Sequence, residues 1–215
     1  MRMKTPLLVG AFCLAYATPA YACTFWFSSS FMSIPARPTF GVGVGSWLSD
    51  PAYYGISGDV AMKLGEKAVV RPAIGICSGN SQTDPFFGAG LALKVVESGS
   101  MSLNIQSGIS YLSADGGSET GIPIGAAASF KGSGNVSFYA GAALQWWQVD
   151  YDTFGSESGS DPMLYGGLMA NSGGMSWTLG GQVLMGDDTD FGIVAGLSLS
   201  RSASAIRHLG SVFRR

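Results

Sequence analysis

Lys63, Arg71, Lys94 and Lys131, with Lys67, are all the positive charge between Arg37 and Arg201 of this 215-residue chain. Gathered in one narrow space, four such cations repel one another unless carboxylates or solute anions neutralise them, so their chemistry would be charge selection of small solutes. A second group is acidic: Asp150, Asp152, Glu157 and Asp161 in "VDYDTFGSESGSDP", and Asp187, Asp188 and Asp190 in "GDDTD". These oxygens could hold calcium, but neither stretch has EF-hand spacing, and solvated acids are the simpler reading. Cysteines form the third group. Cys23 and Cys77 could join in a disulfide once the protein is exported; Cys23 could instead carry a lipid or stay free.

Nucleophilic or acid–base chemistry finds little support. The single histidine, His208, lies in the C-terminal tail with no paired nucleophile, so an enzyme is not expected. "GVGVG" (Gly41 to Gly45) lacks the G-x-G-x-x-G spacing and no helix follows it, so it is no phosphate cradle. A net charge of −2 provides no basic surface for nucleic acid, and no residue pattern implies a cofactor or a metal.

What must position these groups follows from the rest of the chain. Residues 1–22 read as a cleaved signal peptide: Arg2 and Lys4, a short apolar run, then Ala20-Tyr21-Ala22 before Cys23. Beyond it the mean hydropathy is still governed by an unusual balance, +0.27 for the chain with 12% charged residues and 32 glycines. Soluble domains carry about twice that charge. Without a run of about 18 apolar residues, the remaining route into a membrane is a closed β-barrel.

Alternation supports it. In "MSLNIQSGISYL", Met101, Leu103, Ile105, Ile109 and Tyr111 fall on one side and Ser102, Asn104, Gln106 and Ser110 on the other. The same rule generates segments from Phe40 to Leu199, and predicts an all-β fold: an antiparallel up-and-down transmembrane barrel of ten strands, or eight if the first or eighth segment fails. The apolar side is expected to face lipid and the polar side the lumen.

Connections alternate long ("LSDPAYY", "SGNSQTDP", "SADGGSET", "VDYDTFGSESGSDP") and short ("GEK", "ESGS", "GSGN", "SGG"). Short ones suit periplasmic turns and long ones outer loops. Charge sorts the same way: the basic residues fall at the short-turn end or in terminal segments, and most acids fall in or beside the long connections. Trp47, Tyr54, Phe86, Phe87, Tyr111, Trp146, Trp147, Tyr165 and Phe191 would form an outer aromatic girdle, and Phe40, Phe130, Phe138 and Trp177 an inner one.

In this pattern the chain resembles the small outer-membrane β-barrels of Gram-negative bacteria, the OmpA-like and porin-like group, over Thr39 to Arg201. It departs from them after "GLSLSR", where "SASAIRHLGSVFRR" replaces a terminal aromatic strand. The expected organisation is a signal peptide (1–22), an N-terminal segment long enough to plug the barrel (23–38), the barrel (39–201) and a periplasmic tail (202–215). The resemblance implies an outer-membrane location, with membrane lipids and small solutes as partners.

Three functions are open at this point. The first is a small passive, porin-like channel for small polar or charged solutes, with Lys63, Arg71, Lys94 and Lys131 lining the lumen and mostly Gly, Ala and Ser leaving it space. The second is a closed barrel that binds a partner, or acts structurally, through the acidic outer loops. The third is a soluble, lipocalin-like secreted barrel with its apolar face inside.

Overall fold

The computed structural model describes residues 38–48, 52–79, 82–153, 155–172, 174–186 and 189–200. The expected signal peptide (1–22), nearly all of the expected N-terminal plug segment including Cys23, Asp187, Asp188, His208 and the C-terminal tail lie outside them.

Ten strands follow in chain order: β1 Thr39–Trp47, β2 Tyr53–Leu64, β3 Ala68–Gly79, β4 Gln82–Ser98, β5 Met101–Ala114, β6 Gly117–Lys131, β7 Val136–Tyr151, β8 Gly155–Ser172, β9 Met175–Met185 and β10 Thr189–Ser200. Each pairs antiparallel with its chain neighbours, and β1 closes the barrel against β10. Closure satisfies the backbone without leaving an edge, as a span through lipid demands.

The alternation resolves as expected, apolar outward. Phe40, Val42 and Val44 are 51%, 57% and 50% exposed, whereas Gly41 and Gly43 between them are buried. On β5, Ile105, Ile109 and Tyr111 face out while Asn104, Gln106 and Ser110 are buried inside. A water-soluble barrel would reverse these faces, so the lipocalin-like alternative falls.

Two expectations are corrected. Much of the stretches expected to form long outer loops is strand: β5–β6 turn over Asp115 and Gly116 alone, and β7–β8 pair out to Tyr151↔Gly155. The ladder continues there without apolar alternation because, above the membrane, both faces of a hairpin can be polar. Gly116, at φ +93°, supplies the left-handed residue that so tight a turn requires. In addition, Trp47, Phe86, Trp147 and Tyr165 leave the expected outer girdle, since their strand parity sends them into the barrel, where Trp47, Phe86 and Tyr165 are buried. Tyr54, Phe87, Tyr111, Trp146 and Phe191 remain outside.

The interior is correspondingly fuller than a Gly/Ala/Ser lining. Large inward side chains lie along the wall, each bedded on glycine of another strand: Phe86 on Gly75, Tyr165 on Gly141, Tyr53 on Gly79 and Trp147 on Gly159, with the Tyr139 hydroxyl against Gly167 and Gly180. A Cβ at the first four glycines would enter the ring, and one at Gly167 or Gly180 would meet the Tyr139 hydroxyl, so their smallness makes room for aromatic side chains rather than for solvent.

Candidate functional site: the barrel lumen

All four cations fall on the inward face, toward the end of the barrel where both its termini lie. Arg71 is the most buried. Its Nη1 donates to Asp59 Oδ2 at 2.7 Å, and the two side chains are 6% and 11% exposed. Room for that carboxylate comes from Gly41, the β1 partner of Asp59, where a Cβ would strike it. Lys94 Nζ lies 3.1 Å from Glu97 Oε2. Lys63 and Lys131 stand exposed, near the inner ends of β2 and β6. The geometry thus brings Arg71 and Lys94 each onto a carboxylate rather than into one ring of four. Asp59 is the residue that sequence reading passed over. Its signal is a lone acid on the inward parity of β2, within reach of the inward Arg71 on β3.

The Lys94–Glu97 contact depends on irregular backbone. Residues three apart on a regular strand face opposite sides, but a bulge between Lys94 and Val96 sets Val96 opposite Leu103 and Glu97 opposite Ser102. The extra residue returns Glu97 to the lysine's side.

Half-way along the lumen the lining is polar and uncharged. Tyr165 Oη donates to Gln106 Oε1 at 3.1 Å, which leaves the amide nitrogen of Gln106 facing the interior. Gln145 Nε2 donates to the Trp146 carbonyl at 3.2 Å, which leaves its oxygen. Gln106 Nε2, Gln145 Oε1, Asn104 Nδ2 and Ser57 Oγ are all buried with no hydrogen-bond partner. Such groups normally meet water, a solute or another chain, because each left unmatched costs about 1–3 kcal/mol.

Toward the outer end the lumen turns apolar. Trp47, Tyr53, Phe86, Leu112, Met163 and Leu184 form a buried cluster that includes Cys77. Cys77 is disulfide-bonded, and its partner lies outside the described residues. The acids divide: Glu119 is buried inside, Asp161 accepts from Trp147 Nε1 at 2.9 Å, and Asp150 accepts from Gln148 at 2.9 Å. Glu157 is exposed on β8, Asp152 sits in the β7–β8 turn and Asp190 is half-buried on β10. Asp84, beyond the outer girdle, has its carboxyl pushed above the usual range by desolvation and by the nearby charge of Asp115. Among the described residues these acids make no three-ligand metal cluster.

No protein-family model matches the chain, and no curated protein matches it. Its backbone is similar to the β domain of the Bordetella autotransporter BrkA, with TM-score 0.50 at 10% identity, over 77% of this chain and 99% of that one. The chain has the fold of outer-membrane β-barrels. Other similar structures are the translocator domain of the autotransporter NalP from Neisseria meningitidis (TM-score 0.49, 12% identity, 78% of this chain and 89% of that one). A porin, KdgM, solved in complex with disordered oligogalacturonate, also resembles it (TM-score 0.42, 7% identity, 75% and 99% coverage).

Proposed function

We propose that the protein is a small outer-membrane pore that passes small polar or charged solutes along its lumen. One observation carries this reading: Ser57, Arg71, Asn104, Gln106, Ser110, Gln145 and Gln182 are buried on the inward face of strands whose other face is apolar. A barrel with no aqueous role would gain stability from an apolar filling, since burying polar groups is costly even where they are paired. The cations at the inner end would bias passage by charge. Lys63 and Lys131, the two exposed members of the basic group, are the selectivity candidates.

The second reading is a barrel that stays closed and acts through its acidic outer hairpins. The buried apolar cluster of Trp47, Phe86, Leu112 and Leu184 favours it.

Planar-bilayer recording of the refolded mature chain, after heat-modifiable migration confirms folding, separates the two. The pore reading expects discrete conductance steps in at least one redox condition, and a reversal potential displaced toward cations when Lys63 and Lys131 are both changed to Gln. Silence from folded protein, oxidised and reduced, would reject the pore and favour the closed barrel.

A further inference from the structure

We infer that the lumen is the docking site of the chain's own segment Cys23–Pro38, fastened by a disulfide between Cys23 and Cys77. The docking stands independently of the pore reading above.

Cys77 supplies the first argument. It is disulfide-bonded, faces inward and packs in the apolar cluster of the outer half. The chain has 3 cysteines, and Cys13 falls in the expected signal peptide, which leaves Cys23. Strand β1 starts at the inner end with Thr39, and Cys77 is level with Gly45 through the register Cys77↔Gly55↔Gly45. Chain running from Thr39 to an inward sulfur at that level has to enter the lumen and climb about 20 Å, six residues of strand rise. The sixteen residues before Thr39 span about 50 Å when extended, so the reach is ample.

Complementarity supplies the second. Beside Cys23 stand Phe25, Trp26 and Phe27, suited to the apolar side chains around Cys77: Trp47, Tyr53, Phe86 and Leu112. Next come Ser28, Ser29 and Ser30, whose hydroxyls and backbone amides could satisfy the buried atoms Gln106 Nε2, Gln145 Oε1, Asn104 Nδ2 and Ser57 Oγ. These four atoms point to a hydrogen-bonding occupant, and the covalent bond at Cys77 selects this one over a free solute.

The bond forms by exchange. The two thiols lose two protons and two electrons to the disulfide of a thiol oxidant in the exported compartment, which leaves as a dithiol. An added dithiol reverses it.

The test uses the folded mature protein. Without reductant, tryptic peptides 23–63 and 68–94 are expected to travel joined in mass spectrometry and to separate on reduction. Chymotrypsin is expected to spare Phe25, Trp26 and Phe27 in the oxidised barrel and to cut there more than tenfold faster after dithiothreitol or in Cys77→Ser. Free thiols or a lipid at Cys23, or rapid cleavage of the oxidised form, would overturn the docking.

Discussion

Arg71 and Asp59 show how a charge is carried inside this barrel. The guanidinium sits 2.7 Å from the carboxylate with little exposure of either side chain, in a space that Gly41 leaves by having no Cβ. Burying such a pair contributes little net stability, but removing one partner strands the other charge. Asp59→Asn is therefore expected to destabilise the barrel by about 3–5 kcal/mol, measured by urea unfolding in lipid vesicles. A loss below about 1 kcal/mol would mean that water already solvates Arg71. The glycines make the same point about space. Gly75 and Gly141 look like lumen volume when read singly, yet each is the bed of a ring from another strand, Phe86 and Tyr165.

At the scale of elements, register decides which side chains meet. The β4 bulge places Val95 and Val96 both outward and restores Glu97 to the lysine's face. Deleting Val95 is expected to leave a regular strand with every inward residue still inward, so the variant should fold and keep its heat-modifiable migration. Deleting Leu91 instead reverses the faces between the deletion and the turn, sending Lys94 toward lipid, and that variant should fail to assemble. Equal folding of both deletions, read from gel migration of unheated samples, would contradict the register. Hairpins β5–β6 and β7–β8 carry the other lesson at this scale. Their Ser, Gly and acidic residues resemble loop, but the ladder extends to their tips because no face there has to be apolar.

For the whole molecule, two media meet one closed sheet. Ile124, 58% exposed on the outer face of β6, should lie against lipid. Ile124→Arg is expected to cost about 2–4 kcal/mol if that position is near the midplane, read from vesicle unfolding midpoints against wild type. An unchanged midpoint would argue that this face meets water. The sequence by itself determined an antiparallel up-and-down barrel of two-faced strands, because alternation with period two separates the side chains of each strand into two sets; it left the count at ten or eight and a soluble barrel open, which closure and the outward apolar face decided. It also placed Lys63, Arg71, Lys94 and Lys131 together at one end of the inward face. Only the tertiary structure decided that Arg71 rests on Asp59, that Glu97 shares the side of Lys94, and which glycines of other strands bed the inward rings of Phe86, Trp147 and Tyr165. Those outcomes depend on interstrand register, the bulge and the glycine beds across neighbouring strands, which are relations between distant residues that a local period does not encode.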